Sequence, residues 1–587
     1  PLRGHRDDGT EIFQEQEASV INNGNFKELL KFKIDSGDRT LENHLKTSNA
    51  GATYISKRVQ NELIECCRQE IVNSIMLEVK EATYYSIIFD ETTDISNASQ
   101  ITLNIRYILN NQVNEKFIGF IDCHKYIFDK KKEQQYDDDL FNTDEDEEYI
   151  VNNDQKFEPK ITGEILGDTV VNILKDYEFD LDKCIGIGTD GCSVMVSTAR
   201  GAVQQIQKYA KYAIHCPCTN HALNLSISKS STVQLIRNCI GVMKEVISFF
   251  HISAKRNYVL KKHLQHRTTL IGLCETRWNE RHDSVLQFKT SIREIVDALI
   301  DISNWEDSIS STKSNILVSA ICNCDFIFSI VALSSALSIT SPISKLLQGR
   351  SEDVSTASKY INDIIYTLEK HRKGCEESFK DIFKECEIIL NDLNIEIKLP
   401  RLVGRQKHRS CPTNPQSPEV YYRINLYIPL LDCILQDMIK ENNDTVLRTI
   451  LQEILEITMK NPIFRDVTKE AINSELDIWC TKWQRHKLEA KNVPENALGA
   501  LDECHEIVFP IIRTIFKIIC ALPISVASAE RSFSTLKRVK TWLRSRMGNT
   551  RLSGLALLHI HRDITVSHEN VIDRFAKQKN RKRTFIL

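Results

Sequence analysis

Two aspartates end apolar runs. "IIFD" (87–90) stops at Asp90, with Glu91 and Asp94 close behind, and "KCIGIGTD" (183–190) stops at Asp190, followed by "GCS". A carboxylate at the end of a buried strand is either turn chemistry or part of a site. Asp suits turns because its side chain bonds the backbone two residues on. Open α/β sheets place ligands beyond the carboxyl ends of their strands. Two carboxylates brought together there repel each other unless a cation lies between them, and hard oxygen donors suit Mg²⁺ or Mn²⁺.

Three further stretches carry reactive or binding types. "HCPCTNH" (215–221) concentrates His215, Cys216, Cys218 and His221, without the four-ligand spacing of a zinc finger. Cys218 and His221, three apart at a helix start, share one face, and a hydrogen-bonding or packing role is the expectation over zinc. "CETRWNERHDS" (274–284) sets Arg277 beside Trp278; Arg contacts phosphate and Trp stacks on an unpaired base, or the Trp simply anchors a core. "SAERSFSTLKRVKTWLRSRM" (528–547) reads as a helix start, with Ser528 as cap, Glu530 in the first turn, and a basic run over Lys537, Arg538, Lys540, Arg544 and Arg546. The ordinary readings are a dipole-favoured Glu and a solvated basic face.

These residues need a frame. Residues 53–82 have helical spacing; "YYSIIFD" (84–90), "ITLNIRYI" (101–108) and "KFIGFID" (116–122) read as three strands, with "LNNQ" as the turn between the last two. Ile101, Leu103, Ile105 and Tyr107 take one face of the second strand, Thr102, Asn104 and Arg106 the other. From Thr162, a predicted N-cap, helices alternate with strands at 183–190 and 212–218, with a helix over 198–211 between them, which implies parallel neighbours. Residues 285 to about 515 read as almost wholly helical, broken by a basic, Pro-bearing loop over 398–420. The acidic segment 127–160 reads as a disordered insertion.

Composition is that of a water-soluble globular chain of 587 residues, 42% hydrophobic and 26% charged. No apolar run is expected to reach the length of a membrane span, and no signal peptide is visible. The chain begins with Pro1, so a preceding part is expected. The 18 cysteines show no framework and are expected as free thiols. The net charge of -3 hides an acidic stretch at 137–148 and a basic C-terminus; without the former the chain is net positive, which leaves room for a polyanion.

In order along the chain, "FDETTDISNASQ", "GIGTDGCSVM", "HCPCTNHALNL", "ETRWNERHDSV" and "ASAERSFSTLKRVKTWLRSRMGNTRLSGLALLHI" resemble the blocks of the hAT superfamily of DNA transposases and their domesticated, zinc-finger-MYM-like relatives. "PRLVGRQKHRSCP" and "YYRINLYIPLLDCIL" resemble the helical region of that branch. The resemblance implies an α/β fold: a ribonuclease H-like core, a mixed sheet of three antiparallel then parallel strands, interrupted by a large all-α insertion domain. The implied division is 1–82, N-terminal helices; 83–290, first part of the core; 291–515, helical insertion; 516–587, last core helix and dimerisation region. The insertion accounts for the roughly 340 residues between Asp190 and Glu530.

By the same resemblance Asp90, Asp190 and Glu530 form the catalytic and metal-binding triad, holding two Mg²⁺ (or Mn²⁺) ions about 4 Å apart for DNA strand cleavage and transfer. Arg277, Trp278, Cys218, His221, Arg401, Arg405, Lys407 and Arg409 are the implied DNA-binding residues. Phe533, Leu536, Leu552, Leu555, Leu557 and Leu558 are the implied dimerisation residues. Implied partners are DNA and a second copy of the chain, in the nucleus. A domesticated, non-catalytic DNA-binding and dimerising regulator is the alternative; a helical scaffold without a nucleic-acid role leaves the ordered blocks unexplained. Glu91 and Asp94 are expected to be turn or supporting residues.

Overall fold

The computed structural model describes residues 25–48, 53–124, 161–218, 221, 232–265, 270–273, 278–347, 349, 354–399, 417–441, 468–494, 496–545 and 547–577. A mixed five-stranded sheet lies at its centre. Strands β1 (Tyr85–Thr93), β2 (Ser99–Leu109) and β3 (Gln112–Asp122) form an antiparallel meander, and β4 (Cys184–Thr189) and β5 (Ile214–Pro217) add in parallel on the other side of β1, giving the order β3-β2-β1-β4-β5. The expected α/β arrangement of three antiparallel then parallel strands is thus present.

Local chemistry sets the turns. Asn110 and Asn111 both have positive φ, 50° and 55°, the backbone that a two-residue hairpin requires and that Asn tolerates. The β1–β2 connection is built on Asp94, whose Oδ1 accepts from the Ser96 N–H (2.8 Å), the Ser96 hydroxyl (2.7 Å) and the Ala98 N–H (3.2 Å). Asp94 is therefore a turn residue, as expected, and it does more than that below.

One face of the sheet packs on helices α1 (Lys57–Glu81) and α2 (Gly163–Asp176) through Ile71, Ile75, Leu166 and Val170 against Ile87, Phe89, Leu103 and Ile105. Thr162 caps α2, its Oγ1 accepting from the Ile165 N–H at 3.4 Å. The helix expected over 198–211 is limited to α3 (Ala202–Gln207). The other face is covered by chain from far downstream: α4 (Pro510–Ala521) and the start of α5 (Ala527–Val539) bring Ile518, Leu522, Val526 and Ala529 against Ile185, Ile214 and Ile88. Covering both faces buries β2 almost completely, including Thr102, Asn104 and Arg106. Helix α6 (Asn549–Ile560) closes the free edge at β3. Ser553 Oγ donates to the Phe120 carbonyl (2.9 Å) and accepts from its N–H (3.1 Å), and His561 Nε2 lies 2.8 Å from the Phe117 carbonyl. An edge strand otherwise leaves such groups open to another chain.

A second, helical core gathers buried residues from Ile236 to Met438 together with Ile524. Helix Gln234–His251 packs within it, so the helical layer begins before the boundary at 291 that the sequence suggests. Phe328 and Tyr422 stack at its centre with ring centroids 4.0 Å apart. The expectation that no apolar run reaches membrane length meets one exception: Cys324–Pro342 is long and apolar enough to span a membrane, and 72% of it is buried inside this core. The described cysteines carry free thiols. The acidic insertion expected over 127–160 lies outside the described residues; Ile161, which follows it, packs on the sheet core.

Candidate acidic site

β1 and β4 run side by side in parallel with Ile88 opposite Gly188. Two residues further on, each strand delivers an aspartate, Asp90 and Asp190, so both leave the sheet at the same level. Neighbouring strands lie about 4.8 Å apart. Asp90 pairs with Thr102 of β2, and Thr102 Oγ1 lies 2.6 Å from the hydroxyl of Ser532 on α5. Glu530 stands in the first turn of α5, two residues before that contact.

Close packing makes this possible. A Cβ on Gly186 would sit 2.5 Å from Ser86 Oγ and 2.9 Å from Leu522, and one on Gly188 would sit 2.9 Å from Pro523. The two glycines of "IGIG" thus let the segment before α5 lie directly on β4. Cys218 adds a clamp: its buried Sγ accepts from the N–H of Val526 at the head of α5 and from that of His221, each at 3.4 Å. Cys218 therefore has a structural job, holding the end of β5 to α5.

The fields of the three acids meet at Asp90. Burial pushes its carboxyl up to about 8; the charge on Asp190 adds to this, Glu530 and Glu91 contribute, and the Glu91 N–H, 2.9 Å from Asp90 Oδ1, opposes them. Asp190 Oδ1 accepts from the Cys192 N–H at 3.4 Å. Nearby, His215 Nε2 lies 3.1 Å from Thr189 Oγ1, and burial lowers the affinity of its ring for a proton. Carboxylate oxygens have the right chemistry for Mg²⁺. Among the described residues no group of three His, Cys, Asp or Glu side chains is placed to hold a metal ion.

Other expected site residues are dispersed. His221 lies beside the Asp190 loop, its Cδ2 3.7 Å from where a Gly191 Cβ would be. Trp278 opens the helix Trp278–Thr290. Arg277, Arg401, Arg405, Lys407 and Arg409 lie outside the described residues. Phe533, Leu536, Leu552 and Leu557 are buried in the sheet core of a single copy, and Leu555 and Leu558 are half-buried on α6.

Two expectations are corrected. Ser528 is not the cap of α5, which is Val526; its hydroxyl instead donates to the Glu115 carboxylate, because Glu115 is held there by Arg106. Lys540 is not part of a solvated basic face: it is buried against Asp94 with Nζ 2.5 Å from Oδ2. Sequence reasoning also missed the Arg106 network. Arg106 pairs with Glu115 at 2.7 Å, and its Nε and Nη2 donate to the Cys520 carbonyl at 3.2 and 3.0 Å. A lone Arg at a polar position of a strand flanked by apolar residues was the available signal.

Comparison with known proteins agrees with this layout. Residues 7–129 match the family model described as ZMYM1/FAM200, RNase-like domain, and residues 481–564 match the hAT family C-terminal dimerisation region. The human protein named 52 kDa repressor of the inhibitor of the protein kinase is 25% identical, over 98% of this chain and 74% of that protein. Its mouse counterpart of the same name is 25% identical over the same shares.

Proposed function

We propose, for a chain that belongs with the hAT transposases and the proteins derived from them, a dimerising, DNA-binding nuclear regulator of transposase descent. The observation that carries this reading is that the stretch matched as the hAT dimerisation region supplies α5 and α6, which complete the sheet core. What the fold retains is framework. The strand order supports reading the sheet as a ribonuclease H-like core, interrupted by the helical layer and completed by α5. The repressor name of the human and mouse relatives supports a role in regulation.

A second reading is favoured by the convergence of Asp190 and Glu530 on Asp90. It is DNA strand cleavage and transfer dependent on Mg²⁺ or Mn²⁺, with these three as the acting carboxylates. One set of assays separates the two. Dimer mass, duplex binding and repression of a reporter are measured for the chain and for Asp190→Asn. Repression and dimerisation that survive Asp190→Asn support the regulator. Mn²⁺-dependent strand cleavage that Asp190→Asn abolishes overturns it in favour of the second reading.

A further inference from the structure

Trp542 is 80% exposed. By contrast, Trp305 lies under the Lys255 ammonium, Trp479 packs on Phe509 and Phe516, and Trp483 packs on Trp479. Trp542 is nevertheless firmly placed. It opens a 3₁₀ turn, Trp542–Arg544, two residues after Lys540, whose buried pairing with Asp94 fixes the chain to the end of β1. That is the end of the sheet at which Asp90 lies.

The sequence around it is one-sided in charge. From Arg531 to Arg562 the sequence contains eight Lys and Arg residues and no Asp or Glu. Lys537 and Arg538 are exposed, and Arg544 is half-exposed. Two occupants suit an exposed indole in a matched dimerisation region: a second copy, or a nucleic acid. Charge decides between them. A second copy would set this basic stretch against another of the same sign, whereas a polyanion complements it. Indole rings stack on unpaired bases of any sequence, while Lys and Arg take the phosphates.

We propose that Trp542, with Lys537, Arg538 and Arg544, forms a docking face for DNA with unpaired bases. This rests on the DNA-binding reading above and gives it a location within the matched dimerisation region.

The full chain is titrated into a labelled single-stranded DNA and into a blunt duplex of equal length, followed by fluorescence anisotropy. Trp542→Ala is expected to weaken single-strand binding about tenfold, the scale of one lost base–aromatic stack, and duplex binding less than twofold. Trp542→Phe retains most single-strand affinity. Lys537→Ala/Arg538→Ala weakens both and flattens the salt dependence on the single strand by about 1.4 in log–log slope. Light scattering gives Trp542→Ala the same mass as the parent chain. If the parent binds DNA and Trp542→Ala binds the single strand equally well, this inference falls and the DNA-binding reading stands. A Trp542→Ala chain that turns monomeric with DNA affinity intact assigns the face to a second copy and overturns it. If the parent binds neither DNA, the DNA-binding reading fails and takes this inference with it.

Discussion

Lys540 Nζ stands 2.5 Å from Asp94 Oδ2, with both side chains buried, and so ties the end of α5 to the turn that closes β1. The pair joins two halves of the core that are separated in sequence by the whole helical layer. Gln100 Nε2 also donates to Asp94 Oδ2, at 3.2 Å, so the carboxylate is held on several sides.

Removing one member of this pair leaves a buried charge alone. Lys540→Met is expected to cost about 3–5 kcal/mol of folding stability, with much of it recovered in Asp94→Asn/Lys540→Met. Urea unfolding at pH 7 measures both. Burial alone would raise the Asp94 carboxyl, but Lys540, followed by Ser96, overcomes this and holds it below its ordinary value. A depressed carboxyl contributes stability above its unfolded pKa, about 3.9, and loses it as pH falls through the folded value. The gap between parent and Lys540→Met should therefore close in acid.

Asp90 has the opposite sign. Its folded carboxyl, pushed up to about 8 by burial and then by Asp190 and Glu530, binds a proton more tightly than the unfolded chain does. Its effect on stability is nil well below pH 4, grows more unfavourable as pH rises, and levels off above pH 8. Asp90→Asn should be more stable than the parent by on the order of a few kcal/mol at pH 9, with no difference near pH 3. Urea midpoints across that range check it; equal midpoints at pH 9 would mean that the Asp90 carboxyl is not raised in the folded chain.

The meander was legible because its signals are local: alternation along β2, and an Asn-Asn pair where a tight hairpin needs positive φ. Thr102, Asn104 and Arg106 read naturally as an outward polar face. They are buried because α4 and α5 return from more than 400 residues away to cover them, as the Arg106 bonds to Cys520 show. No local period contains that return. Asp90 and Asp190 were visible as acids at strand ends, whereas the placement of Glu530 followed only from family resemblance. Lys540 had no signal at all, since a Lys in a basic run looks solvated until its partner, Asp94, is known.

The approach of the segment before α5 to β4 yields a steric prediction. A methyl added at Gly188 would lie 2.9 Å from Pro523 Cγ and 3.0 Å from its Cβ, and a proline ring cannot turn aside. Gly188→Ala should cost about 1–3 kcal/mol, the usual scale of overpacking. The strain falls where α5 is seated, so amide exchange should quicken in α5 before it does in α1. Uniform quickening would show that the seat of α5 is not a local hinge point.

Cys218 separates a structural thiol from a zinc ligand. Its Sγ accepts backbone N–H groups from His221 and Val526 at 3.4 Å each and is buried where β5 meets α5. Cys218→Ala leaves the Val526 N–H without this acceptor in a closed setting, a loss of about 1–3 kcal/mol. The structural role predicts that a metal chelator extracts nothing there. Thermal unfolding with and without EDTA should coincide for the parent chain, while Cys218→Ala should unfold at lower temperature in both. A fall in the parent's midpoint on adding EDTA, absent from Cys218→Ala, would instead make the thiol a metal ligand.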